Sequence, residues 1–219
     1  MRFDLLILDN DGVLVDSEPI ANRVLAELLT EYGRPTTYEE SVREFMGGTL
    51  GRVREIVQPR LGGPLPDDFE DRYHERLYAR MRTELTAIQG VVAALDALDA
   101  CGGLPMCVAS SGTHERIETA LATVGLLARF AGRIFSAEDV RRGKPYPDLF
   151  LHAAERMGAE PARCVVVEDS PPGVAAAKAA GMTVIGYAGL TPAARLAAAD
   201  IVIERMSELP NTIRLSAVT

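Results

Sequence analysis

The 219-residue chain has no tryptophan, three cysteines, three histidines and, among 23 basic residues, only two lysines, Lys144 and Lys178. Cys101, Cys107 and Cys164 are odd in number and lack metal-ligand spacing, which excludes a disulfide framework or a zinc site and predicts free buried thiols. Long apolar runs are also missing. Leu5-Leu6-Ile7-Leu8 stops at Asp9, far short of the roughly 20 residues that span a bilayer as a helix. A net charge of −8 leaves no cationic excess to neutralise nucleic-acid phosphates or an anionic membrane, so neither partner is expected. The opening Met1-Arg2-Phe3-Asp4 lacks the long apolar core and small-residue cleavage site of a secretory signal, and a cytoplasmic location is the expectation.

What is present is 47% hydrophobic and 25% charged sequence, enough for a globular core. Continuous apolar runs at Phe3–Leu8, Pro105–Ala109, Cys164–Val167, Met182–Tyr187 and Ile201–Ile203 have the length and composition of strands covered on both faces. Between the later ones lie helix-periodic segments, Val91–Ala100, Glu115–Val124, Leu149–Met157 and Val174–Ala180, followed by Gly102, Gly125, Gly158 and Gly181. This alternation predicts a doubly wound, Rossmann-like α/β parallel sheet. Residues 17–85 break the rhythm. Ser17-Glu18-Pro19 opens a helix, Thr37 and Glu40 fit a capping box, and Phe69, Tyr73, Leu77, Met81 and Leu85 form an i, i+4 stripe. The expected organisation is a core of residues 1–16 and 86–219 with an inserted all-helical domain over 17–85.

Four strand ends carry chemistry. Asp9-Asn10-Asp11-Gly12 puts two carboxylates where open α/β sheets bind ligands; one can serve as nucleophile and metal ligand, the other as proton donor and acceptor. The same four residues are also common turn formers. Ser110-Ser111-Gly112-Thr113 offers a hydroxyl and backbone N–H groups before a helix, an anion site, although Ser110 also reads as a simple N-cap. Lys144, in Gly143-Lys144-Pro145, stands where another helix is expected to begin. Glu168-Asp169 adds an acidic pair suited to oxygen ligation of Mg²⁺.

In this order the motifs resemble those of the haloacid dehalogenase superfamily, and the stretches Asp11–Glu18 and Gly143–Asp148 are similar to its β-phosphoglucomutase-like subgroup. The resemblance spans the whole chain and treats the insert as that family's cap domain. It implies Asp9 as the nucleophile that forms an aspartyl-phosphate and Asp11 as the acid and then base. It further implies Mg²⁺ on Asp9, the Asp11 carbonyl and Asp169, with Glu168 a further ligand. Asn10, Ser110, Ser111 and Lys144 would cradle the phosphate. Glu18, Gly48, Thr49 and Arg52 of the insert would read the substrate, held between core and cap.

The implied reaction is Mg²⁺-dependent hydrolysis of a small phosphorylated sugar or sugar acid by a monomer or weak homodimer. Asp11 argues against dehalogenation, which needs no acid for an alkoxide. The absence of lysine before Lys144 excludes a Schiff-base hydrolase with a cap lysine. Ala21 and Leu50 stand where a β-phosphoglucomutase-type mutase places its cap His and, approximately, its phosphate-binding Arg, which favours a phosphatase; Arg43, Arg52 and Arg54 are alternative phosphate contacts. The remaining readings are that mutase and a catalytically silent binding module.

Overall fold

The computed structural model describes residues 3–46, 48, 50–100 and 102–215; Gly47, Thr49 and Cys101, named above, lie outside them. The chain divides into two compact units, Met1–Asp16 with Thr86–Thr219, and Ser17–Leu85.

In the first unit the described residues form a six-stranded sheet in the order β3-β2-β1-β4-β5-β6, with every neighbouring pair parallel. The strands are β1 (Leu5–Leu8), β2 (Met106–Ser110), β3 (Ile134–Ser136), β4 (Cys164–Glu168), β5 (Thr183–Tyr187) and β6 (Ile201–Ile203). Between and after them run α5 (Val91–Ala100), α6 (His114–Thr123), α7 (Asp148–Met157), α8 (Pro171–Ala179) and α9 (Leu209–Leu215). Leu5, Ile7, Cys107, Ala109, Cys164 and Val166 share one core with Leu149, Phe150 and Ala153 of α7 and Val174, Ala176 and Ala177 of α8. The alternating residues Leu6, Leu8, Val108, Val165 and Val167 are equally buried, as two covered faces require. Burial drives both described cysteine thiols up, Cys164 to about 11, so they are inert core groups.

Two expectations shift. β3 is not visible as an apolar run because only two of its three residues, Ile134 and Phe135, are apolar, set between Arg133 and Ser136, whereas the equally short β6 is apolar throughout. The helix expected at Gly143–Pro145 starts only at Asp148. Pro145 and Pro147 bias the residues before them away from helical backbone, and a turn from the Gly143 carbonyl to the Tyr146 N–H fills the gap.

The second unit consists, among the described residues, of α1 (Glu18–Glu31), α2 (Tyr38–Phe45), α3 (Leu50–Leu61) and α4 (Phe69–Glu84). The Thr37 hydroxyl accepts the Glu40 N–H while the Glu40 carboxylate accepts the Thr37 N–H, closing the capping box. Phe69, Tyr73, Leu77 and Met81 are the buried face of α4. No described helix is long and apolar enough to cross a membrane.

Candidate active site

Strand order reverses on either side of β1, so the carboxyl ends of β1 and β4 flank a topological switch point, and both acidic motifs sit there. After Leu8 the chain turns at once. The Asn10 carbonyl accepts the N–H groups of Leu14 (2.9 Å) and Val15 (3.0 Å), which holds the Asp9–Gly12 loop in one shape. Gly12 has φ +80°, and a Cβ there would lie 2.0 Å from Asp169 Oδ2. Only glycine supplies both the left-handed backbone and the room for the second acidic motif.

Asp9, Glu168 and Asp169 each bring a carboxylate oxygen to within 4.8 Å of the others. The Lys144 ammonium lies among them, donating to Asp9 Oδ1 (2.6 Å), Glu168 Oε1 (2.6 Å) and the Ala109 carbonyl (3.2 Å), and stands 5.0 Å from the centre of the Phe150 ring. All three of its protons are thereby used. Glu168 is wholly buried; its Oε2 accepts both the N–H and the hydroxyl of Ser170 (2.8 Å each). Ser170 in turn caps α8 by accepting the Gly173 N–H. A Cβ on Gly173 would come within 1.7 Å of Glu168 Oε1, so the bare first turn of α8 is the floor on which this carboxylate rests.

The charge balance is negative. Burial pushes the Asp9 carboxyl well above the ordinary range, Lys144 pulls it back, and Glu168 and Asp11 push it up again. Burial raises Asp169 likewise, reinforced by Asp9 and Glu168. Burial alone would depress the Lys144 amine, but Asp9 and Glu168 outweigh it and keep it protonated above the usual lysine range. Three carboxylates and one ammonium leave the pocket short of positive charge. An all-oxygen donor set of this kind fits a hard divalent cation such as Mg²⁺.

Asp11 points its two oxygens at different partners: Oδ1 accepts from Arg116 Nη2 (2.7 Å) and Oδ2 from Asn10 Nδ2 (3.3 Å). Ser110 is buried and its hydroxyl accepts the Gly112 N–H (3.2 Å), while Ser111 is exposed. Thr113, not Ser110, caps α6, accepting the Arg116 N–H. The first unit thus brings Asp9, Asn10, Asp11, Ser110, Lys144, Glu168 and Asp169 to the ends of three neighbouring strands.

The insert residues stand in the other unit. Glu18 opens α1 and its Oε2 accepts from Asn22 Nδ2 (3.0 Å), Asn22 being fixed by the Ser41 hydroxyl. The Gly48 N–H bonds the Phe45 carbonyl, and Arg52 is exposed in the first turn of α3. Two residues not marked in the sequence hold site carboxylates: Ser170 on Glu168 and Arg116 on Asp11. Ser170 is legible as a cap before Pro171-Pro172-Gly173, and Arg116 as a cation in the first turn of a helix that would accommodate an acid better.

A profile of the haloacid dehalogenase-like hydrolases matches residues 3–181. The chain belongs to the haloacid dehalogenase-like hydrolase family. It is 34% identical over 187 residues to the 6-phosphogluconate phosphatase of Escherichia coli (strain K12), covering 85% of this chain and 83% of that protein. It is 31% identical over 215 residues to hexitol phosphatase A of the same organism, covering 97% and 95%. Among solved structures, a haloacid dehalogenase family hydrolase from Deinococcus radiodurans R1, determined with bound phosphate and sodium, superposes with a TM-score of 0.83 at 34% identity, covering 99% of this chain and 97% of that one. The motif resemblance and the family membership therefore agree.

Proposed function

We propose that this haloacid dehalogenase-like hydrolase is a Mg²⁺-dependent phosphatase acting on a small phosphorylated sugar or sugar acid through an aspartyl-phosphate. The observation that carries the reading is the Asp9–Lys144–Glu168 cluster beside Asp169, with a second carboxylate, Asp11, two residues from the first. Its relatives' names, a 6-phosphogluconate phosphatase and a hexitol phosphatase, support the substrate class.

In this reading Asp9 attacks phosphorus in line, and the P–O bond to the sugar breaks as Asp11 gives its proton to the departing oxygen. Asp11 then takes a proton from the water that attacks the aspartyl-phosphate, releasing inorganic phosphate and restoring Asp9. Lys144 keeps Asp9 and Glu168 from repelling the incoming phosphate, and Ser110, Ser111 and the Asn10 and Asp11 N–H groups receive its oxygens. Asp9, Asp169 and the Asp11 carbonyl would hold Mg²⁺, which supplies neutralisation of phosphoryl charge; Glu168 has only Oε1 to add, shared with Lys144. The helical unit reads the substrate through Glu18, Gly48, Thr49 and Arg52, and the protein works as a monomer or weak homodimer in the cytoplasm.

The test is phosphate release with Mg²⁺ across hexose, pentose, polyol and sugar-acid monophosphates, with Asp9→Asn and a chelator as blanks. Turnover of one class that both blanks abolish supports the proposal. No release from any member refutes it and leaves the mutase, assayed with β-glucose 1-phosphate and a bisphosphate activator, or a silent module.

A further inference from the structure

The motif chemistry leaves one charged contact unexplained, the pairing of Asp11 with Arg116 across 105 residues of sequence. Arg116 is the third residue of α6, its N–H taken by the Thr113 cap. At that position a capping box places Glu or Gln, and the positive end of the helix dipole disfavours a cation. The chain carries an arginine there against local preference. Stability does not account for it, because both side chains are partly exposed, at 21% and 28%, and such pairs contribute little to folding. Locally unfavourable choices of this kind concentrate at functional sites.

The path of the side chain points the same way. Arg116 crosses directly over the turn after β2, where a Cβ on Gly112 would stand 3.3 Å from Arg116 Cδ and 3.6 Å from Ser110 Oγ. Glycine at 112 leaves the lane open for the guanidinium to reach from the Ser110 loop to the Asp9–Gly12 loop. There it takes Asp11 Oδ1 at 2.7 Å while Asn10, wholly buried, takes Oδ2 at 3.3 Å. A carboxylate gripped on both oxygens from two directions has one orientation available. An acid that must meet a leaving oxygen gains from that restriction, since a misplacement of about 1 Å costs about 10²-fold in rate.

We infer that Arg116 is a positioning residue for the second acid: with Asn10 it fixes the Asp11 carboxylate, and it acts on the reaction through Asp11 and not through the phosphate. This rests on the phosphatase reading above. The consequence is selective for leaving group, because an alkoxide needs the proton of Asp11 and a nitrophenolate does not.

The experiment measures kcat/KM for the best alkyl phosphate of the panel and for p-nitrophenyl phosphate in the wild type, Arg116→Ala, Arg116→Lys, Asp11→Asn and the Arg116→Ala/Asp11→Asn double variant. Arg116→Ala is expected to lose about 10²-fold on the alkyl phosphate and under about threefold on the nitrophenyl ester, with partial recovery in Arg116→Lys. In the Asp11→Asn background the same truncation should change neither rate, since the acid that Arg116 positions is gone. Equal losses on both substrates, or a further loss in the double variant, would assign Arg116 to phosphate binding or to folding and overturn the inference. Wild-type rates on both substrates would overturn it as well. If the wild type hydrolyses neither ester, the phosphatase reading itself fails and takes the inference with it.

Discussion

Replacing Lys144 by methionine tests the electrostatic account of the site directly. The side chain keeps its approximate length and loses the ammonium that bonds Asp9 and Glu168 at 2.6 Å each and faces the Phe150 ring. Glu168 is fully buried and Asp9 nearly so, and removing one partner of a buried ion pair costs about 3–5 kcal/mol. A chain of this size loses about 2–4 °C per kcal/mol, so the thermal midpoint should fall by roughly 6–20 °C at pH 8 with divalent cations chelated. The sign with pH follows from Asp9, whose carboxyl is already raised by burial and rises further when Lys144 is gone. A group with a folded pKa above its unfolded value makes the native state bind more protons, so stability falls as pH climbs through that window. The deficit of Lys144→Met against the wild type should therefore shrink on going from pH 8 to pH 5.5. Urea melts followed by far-UV circular dichroism at both pH values give the two differences. Glu168→Gln/Lys144→Met should recover part of the loss, and Glu168→Gln alone serves if Lys144→Met does not fold. A deficit below about 1 kcal/mol at pH 8, or one that grows on acidification, would refute the claim that Lys144 is held by two buried carboxylates.

Gly12→Ala must place a methyl group on Asp169 from a backbone with φ +80°, and it should lower phosphate release by at least about 10²-fold while circular dichroism stays native. Gly173→Ala collides with Glu168 at the start of α8 and should cost about 1–3 kcal/mol in a urea melt through loss of the Ser170 and Lys144 bonds, where an ordinary Gly→Ala exchange in a helix stabilises. Saturating Mg²⁺ should raise the thermal midpoint of the chelated wild type and not that of an Asp9→Asn/Asp169→Asn variant; an equal rise in both would remove the assigned ligands. In the helical unit, Arg34 and Arg60 hold the Glu44 carboxyl below its usual range, so its contribution is present above about pH 4.5 and vanishes as pH falls through the depressed value. Glu44→Gln should melt slightly below wild type at pH 7, by about 0.5 kcal/mol, and together with it at pH 3.

The parts of this molecule that the sequence discloses are those where local chemistry and tertiary demand coincide. Leu5–Leu8, Cys164–Val167 and the Phe69-to-Met81 stripe are apolar at the periods their elements require, and Thr37 with Glu40 closes its own cap without help from the rest of the fold. The acids Asp9, Asp11, Glu168 and Asp169 stand out because charge at a strand end in a parallel sheet has few purely structural uses, and Lys144 because it is one of only two lysines. Most of what stayed hidden is set by partners distant in the sequence. β3 holds its place by pairing with Val108, Ala109 and Ser110, a register no three-residue stretch can announce. The start of α7 is moved to Asp148 by two prolines whose effect falls on their predecessors. Arg116 is the instructive case, because its sequence signal is a misfit: a cation at the third position of a capped helix is unfavourable there, and the structure supplies its reason 105 residues away at Asp11. Gly12, Gly112 and Gly173 extend the argument, each next to a side chain that occupies or crowds the space a Cβ would need: Asp169, Arg116 and Glu168. At this site the missing side chains are as specific as those present, since each one leaves room for a charged side chain.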